Sequence, residues 1–228
     1  MNEFKLIIPT QTFLGKKIET LGIWLSGGVD SSLLLYLLIK KIQDDKIPIM
    51  VQPVIVEKKD NISETKIILE KIIELLNCKT ILKDLLIYDI SNWVDNDYHK
   101  TFYSKNIENV INGKYEYIYS GITKNPPLAE QEQFKFSIIP ELEKIRQDDI
   151  KKIIIFNAIF YENGEVYETG EIRPFFHLHK KDIKKMYETN NLMDSIFPFT
   201  CSCVEMTKKG HCGHCWFCKE RLWGFGQL

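Results

Sequence analysis

The sequence predicts an α/β protein, a parallel doubly wound sheet carrying a small cysteine-bearing lobe at its C-terminal end. Three observations predict it. Short apolar runs of strand length alternate with amphipathic segments of helix length. The first such run, Gly22–Leu25, leads straight into a pair of glycines and then a helical pattern, the opening of a βα unit. Five of the six cysteines fall between Cys201 and Cys218, where they cannot serve a disulfide framework spread along the chain. A length of 228 residues fits one domain of roughly 150 residues with an addition. The expected division is 1–195 for the α/β domain and 196–228 for the lobe.

Each element follows from local pattern. Leu33, Leu34, Leu37, Leu38 and Ile42 recur at helical spacing, so 31–42 reads as a helix. Residues 49–56 (IMVQPVIV) read as a strand despite Pro53, which removes a ladder donor. Residues 63–76 read as a helix with Ser63 as its N-cap, and Lys66 at the third position forms no capping box. Strands are expected at 80–90, 115–122 and 152–160, the last followed by an Asn163-Gly164 turn. Residues 93–111 are polar and aromatic and read as helical or irregular. A helix covers 180–190, and the chain ends in the cysteine-rich segment and a short aromatic tail.

Composition excludes several classes. Hydrophobic residues at 44% and charged residues at 27% are those of a globular chain and exclude a fully disordered one. Thirty basic against 31 acidic residues give a net charge of −1, so nucleic acid is not expected as a direct partner. The longest apolar run, near 33–39, is far short of the ~20 residues that span a bilayer. The N-terminus MNEFKLIIPTQTF lacks the basic and apolar regions of a secretory signal, so a reducing cytoplasm is expected.

The chemistry begins after the first strand, at Leu25-Ser26-Gly27-Gly28-Val29-Asp30-Ser31-Ser32. Two glycines remove Cβ atoms and permit positive φ, so amide groups can converge on an anion. The helix that follows presents unpaired N–H groups and a positive dipole end. Ser26, Ser31 and Ser32 add hydroxyls, which completes a phosphate cradle. Asp30 beside an anion is explained by helix capping or by a Mg²⁺ ion. The loop is neither a Walker A motif, since no lysine follows the glycines, nor a G-x-G-x-x-G loop.

Cys203, Cys212, Cys215 and Cys218 supply four thiolates at spacings that suit a closed tetrahedral zinc site, which would be structural. Lys208, Lys209, Lys219 and Arg221 would offset its negative charge. An iron–sulfur cluster is the rival reading of Cys-x2-Cys-x2-Cys, and spacing alone leaves Cys201 as an alternative to Cys203.

The string Ser-Gly-Gly-Val-Asp-Ser after a first strand resembles the PP-loop ATP pyrophosphatases, whose fold is of the adenine nucleotide α-hydrolase kind. Thr200-Cys201-Ser202-Cys203 with Cys212-Gly213-His214-Cys215-Trp216-Phe217-Cys218-Lys219-Glu220-Arg221 resembles the C-terminal zinc knuckle of the 7-cyano-7-deazaguanine synthase family. Pro174, Lys180 and the helix after it resemble that family's approach to the knuckle. Under this resemblance Cys203 is the first ligand and Cys201 is extra. The implied reaction splits ATP into AMP and pyrophosphate to adenylate 7-carboxy-7-deazaguanine. Ammonia then gives the amide, and a second activation gives the nitrile. The implied needs are structural Zn²⁺, ATP as co-substrate and Mg²⁺, and a homodimer is compatible with them. Ser120-Gly121-Ile122-Thr123-Lys124-Asn125 resembles the superfamily's second loop near the nucleotide. Candidate catalytic residues are therefore Asp30, Ser31, Lys124 and Lys180, with 25–32 and Gly121 binding the nucleotide. Arg173 and Lys181 are further cations, and Trp93, His99, Phe102, Tyr103, Phe134 and Phe136 are aromatic candidates for a purine pocket. His177 and His179 read as a strand-edge pair. The stretch 91–160 departs from the family pattern. Competing readings are a PP-loop enzyme acting on another carboxylate, a nucleic-acid base or a protein terminus, and a non-catalytic nucleotide-binding zinc module.

Overall fold

A computed structural model describes residues 4–57, 59–89, 98–136, 154–162, 164–203 and 210–228. Among the described residues six strands form one sheet: β1 (Thr20–Leu25), β2 (Met50–Glu57), β3 (Leu86–Asp89), β4 (Tyr117–Tyr119), β5 (Ile154–Glu162) and β6 (Glu165–Ile172). Their order is β3-β2-β1-β4-β6-β5. Five are mutually parallel, as alternation with helices requires, and β5 alone runs antiparallel against β6. The reason is length. Two residues join β5 to β6, and a parallel pairing needs a crossover of a dozen or more. Gly164 in that turn has φ +82°, as the Asn-Gly pair predicts.

The helices are α1 (Val29–Asp44), α2 (Lys59–Leu76), α3 (Tyr98–Ile111), α4 (Leu128–Gln133), α5 (Lys180–Thr189) and α6 (Trp216–Phe225). Helix α2 starts at Lys59, ahead of the Ser63 cap that the sequence suggests. Strand β3 is shorter than the expected 80–90, because a single 3-10 turn occupies Lys79–Ile81. Pro53 explains part of that. The Met50 amide bonds to Glu19 beside β1, so by alternation position 53 faces β3. On that side pairing breaks between the Val51–Leu82 bridge and the Val54–Leu86 pair, so no donor is missed. The Gln52 amide fills the break by donating to the Asp84 carbonyl at 2.5 Å.

Helix α1 is buried along Leu33, Leu34, Leu35, Leu38 and Ile39 and anchors the main core. The C-terminal segment joins that core: Phe197 and Phe225 stack at 4.8 Å, and Tyr187 of α5 meets both edge-on. Gly22 in β1 lies under Tyr115, where a Cβ would be 2.9 Å from the ring. Among the described residues no helix is long and apolar enough to cross a membrane.

Candidate phosphate cradle and four-cysteine site

Strand β1 lies between β2 and β4, where the winding of the sheet reverses, and its carboxyl end opens the crevice where α/β sheets take ligands. Leu25 is buried and the chain turns at Ser26. Gly27 has φ +72°, and a Cβ there would stand 2.8 Å from the Thr65 hydroxyl, so glycine is required twice over. Gly28 is the N-cap of α1 in extended geometry, with no side chain closing the helix end. The first amides of α1 are thus uncapped by side chains. Ser32 donates its hydroxyl to the Gly28 carbonyl at 2.8 Å, and Ser31 does so at 3.3 Å. Ser31 Oγ also accepts from the Ser26 amide at 3.3 Å. These two hydroxyls brace the loop, while Ser26 is exposed at its rim. Val29 is buried, and its carbonyl accepts from the Tyr187 hydroxyl at 2.8 Å, which ties α5 to the start of α1.

Lys180, at the start of α5, is 4% exposed and places its ammonium on the Asp30 carboxylate. The fully buried Glu220 of α6 stands 3.7 Å from the same ammonium. Thr123 donates to Asp30 at 3.5 Å. The segment after β4 presses on the loop: a Cβ on Gly121 would lie 2.7 Å from the Ser31 amide nitrogen. Asp30, Ser31, Gly121 and Lys180 therefore converge. Lys124 is half-buried on the same segment, with its amide bonded to the Leu178 carbonyl at 2.8 Å.

The other cations are engaged elsewhere. Arg173 forms a two-bond pair with Glu171, both bonds at 2.8 Å. Lys181 pairs with Glu130 and lies 4.6 Å over the Trp223 ring. His179 is the N-cap of α5 rather than a strand-edge residue, and its amide donates to Asp182 at 3.0 Å. His177 packs edge-on against Phe176 at 5.2 Å. Phe136 packs against Trp216 at 4.6 Å, with Phe134 beside it. Trp93 and the side chains of His99, Phe102 and Tyr103 lie outside the described residues, as do Lys208 and Lys209.

The sulfurs of Cys203, Cys212, Cys215 and Cys218 all lie within 4.8 Å of one another, a set that could hold a metal ion. Backbone amides point at them: that of Cys212 donates to Cys203 Sγ and that of Cys215 to Cys212 Sγ, each at 3.3 Å. Burial pushes the Cys212 thiol up, but amide bonds from Cys215 and His214 outweigh it and bring it down to about 6. Burial pushes Cys218 well above the usual thiol range. Cys201 is outside the set, and its sulfur accepts from the Cys203 amide at 3.4 Å. His211 is held below the usual imidazole range by burial and then by the Arg221 charge. That favours the neutral ring, which accepts from the Ser202 amide through Nε2 at 3.3 Å.

The sequence offers Arg221 only as a charge beside the cysteines; its role in joining the two sites appears in the structure. Arg221 is 1% exposed, donates to the Thr200 carbonyl and hydroxyl at 3.0 and 2.8 Å, and lies 4.1 Å over Phe197. The next residue, Cys201, donates its amide to the Gly27 carbonyl at 2.8 Å. The segment from Thr200 to Cys203 is thus a strap across the phosphate loop. The one signal available was the charged run Lys219-Glu220-Arg221 after Cys218, within the segment read as the knuckle.

Comparison with known proteins adds the following. Among curated proteins none matches the chain. The U34-tRNA thiolase NcsA from Methanococcus maripaludis, solved with its 4Fe-4S cluster, is 16% identical over 80% of this chain, with a TM-score of 0.43. The Candida glabrata FMN adenylyltransferase, solved with FMN and an ATP analogue, is 18% identical over 73%, with a TM-score of 0.37. The NAD+ synthetase of Burkholderia pseudomallei is 10% identical over 92%, with a TM-score of 0.38. The matches cover 60%, 46% and 75% of those three chains. Residues 153–228 match the family model described as queuosine biosynthesis protein QueC. That stretch contains β5, β6, Lys180, the strap, all four clustered cysteines and α6. The match covers the C-terminal third of the chain.

Proposed function

We propose that the chain is an ATP-dependent carbon–nitrogen ligase that adenylates a carboxylate and passes it to ammonia, with 7-carboxy-7-deazaguanine as substrate and 7-cyano-7-deazaguanine as product. One observation carries the reading: the QueC-matching segment is docked on the phosphate loop through the Cys201–Gly27 bond and the Lys180–Asp30 pair. In this reading a carboxylate oxygen attacks the α-phosphorus and pyrophosphate departs. Ammonia then attacks the acyl carbon, and AMP leaves with that oxygen. A second ATP activates the amide oxygen in the same way, and loss of AMP and protons leaves the nitrile.

Residues 25–32 cradle the departing pyrophosphate, where amide donors act without reorganisation. Asp30 would hold Mg²⁺, Lys180 and Lys124 would offset the developing charge, and Gly121 would let the second loop approach the nucleotide. Ser31 holds the loop shape. Cys203, Cys212, Cys215 and Cys218 would hold structural zinc. A tetrahedral zinc with bonds of about 2.3 Å sets sulfurs about 3.8 Å apart. Cys212 and Cys218 stand at 3.9 Å, and the 4.8 Å limit leaves little room for the iron and sulfide atoms of a cubane cluster. A reducing cytoplasm would keep these thiols available.

The test is nucleotide product analysis with ATP, Mg²⁺, ammonium and 7-carboxy-7-deazaguanine, resolved by ion exchange. AMP and pyrophosphate that require this substrate support the reading. AMP that forms with other carboxylates but not this one keeps the chemistry and rejects the substrate.

A further inference from the structure

Helix α6 is connected to the loop site through Lys180, Thr200 and Glu130. We infer that α6 is the positioning element of that site, so that metal at the four cysteines and nucleotide at the phosphate loop bind cooperatively. The inference rests on the proposed ATP and zinc sites and adds a coupling between them.

Helix α6 begins at the metal set: Cys215 is its N-cap and Cys218 lies in its first turn. Four thiolates on one ion fix that helix start relative to Cys203. Three links then run from α6 to the loop site, each through a second residue. Glu220 reaches Lys180, which holds Asp30. The two helices are in close backbone contact there, since a Cβ on Gly224 would overlap that of Lys180. Arg221 holds Thr200, and the adjoining Cys201 amide holds the Gly27 carbonyl. Trp223 donates its indole N–H to Glu130 of α4, the helix that follows directly on the segment bearing Gly121. Lys219 adds a bond to the Lys135 carbonyl just beyond α4.

The strap is held at both ends, by Arg221 at Thr200 and by the metal at Cys203. Without metal, Cys203 and the start of α6 lose their common anchor, and all three links slacken together. Without an anion, the loop has no ligand to hold it against the strap. Each ligand thus orders the arrangement the other needs, and linkage makes the benefit reciprocal. Glu220, Arg221 and Trp223 are positioning residues in this scheme.

The experiment uses the full-length, zinc-loaded protein. Zinc release is followed with a large excess of a metallochromic chelator, with and without saturating Mg²⁺–α,β-methylene-ATP. Excess chelator makes the rate that of release from the protein, whatever zinc the nucleotide binds in solution. Nucleotide binding is measured separately by calorimetry. The expected result is release slowed at least about fivefold by the nucleotide, the low end of ordinary coupling, because such effects fall mainly on the off-rate. Arg221→Lys and Trp223→Phe should each bind zinc yet show a smaller nucleotide effect; if either misfolds, the other decides. Unchanged release with nucleotide bound overturns the coupling and leaves the ATP reading standing. Absence of nucleotide binding overturns both. Variants that keep the full effect overturn the assignment of α6 as the positioning element.

Discussion

Replacing Gly121 with alanine tests how closely the second loop abuts the phosphate loop. The new Cβ would lie 2.7 Å from the Ser31 nitrogen, 2.8 Å from the Asp30 carbonyl carbon and 3.0 Å from its oxygen. All three are backbone atoms in the first turn of α1, so no side chain can swing aside. Ordinary contact begins at 3.4 Å, so the segment must withdraw by about 0.7 Å from its 2.7 Å approach. Overpacking of this kind costs about 1–3 kcal/mol. Were that cost expressed at the binding site, nucleotide affinity would fall roughly fivefold to a hundredfold, since 1.4 kcal/mol is tenfold. The assays are the urea midpoint and calorimetric affinity for Mg²⁺–α,β-methylene-ATP. Both should fall together. A variant with the original midpoint and affinity would refute the close approach, and with it the shared wall of the site.

Lys180→Met should destabilise the fold by about 3–5 kcal/mol in urea titration, because it leaves the Asp30 and Glu220 carboxylates facing each other without their cation; an unchanged midpoint would contradict the buried cluster. Asp30→Ala should abolish AMP formation while the protein stays folded, because Glu220 still partners Lys180; normal turnover would sink the assignment of the loop. Cys215→Ser should lower bound metal and loosen α6, read by elemental analysis and hydrogen exchange; full zinc content would contradict the four-cysteine site. Glu130 is held below the usual carboxylate range by its bond from Lys181 and then that from Trp223. Its stabilising contribution is therefore present above the ordinary carboxylate pKa and is lost as pH falls through the lowered one. Acid titration of tryptophan fluorescence should show that step, and Glu130→Gln should remove it.

The parts legible in the sequence were those with a dense local signal. Gly22–Leu25, the paired glycines and the leucines of α1 announce a strand, a turn and a helix within twenty-odd residues. The four cysteines announce themselves by chemistry. Strand β6 was not legible, because EVYETGEI is covered on both faces at its centre yet places polar Glu168 and Thr169 at buried positions. Glu168 is explained only in three dimensions, where it accepts the Phe13 and Leu14 amides at 2.8 Å and the Tyr117 hydroxyl. Helix α6 was divided between the cysteine-rich segment and an aromatic tail because it has no clear polar face: Trp216, Glu220, Arg221, Trp223 and Phe225 are all buried. Its charges face inward to partners 21 to 40 residues away in sequence, Thr200 and Lys180, and periodicity carries no trace of that. The convergence of Asp30 with Lys180 was legible only as two separate candidates, since 150 residues of chain separate them.

The most direct test of the central claim follows the carboxylate oxygen. The protein is incubated with ATP, Mg²⁺, ammonium and 7-carboxy-7-deazaguanine whose carboxylate carries oxygen-18, and AMP is examined by mass spectrometry. Adenylation of the carboxylate, and then of the amide oxygen, predicts that each AMP molecule formed has gained one heavy oxygen, with none in pyrophosphate. AMP formed without the label would show that water, not the carboxylate, attacks the α-phosphorus, and would contradict the account.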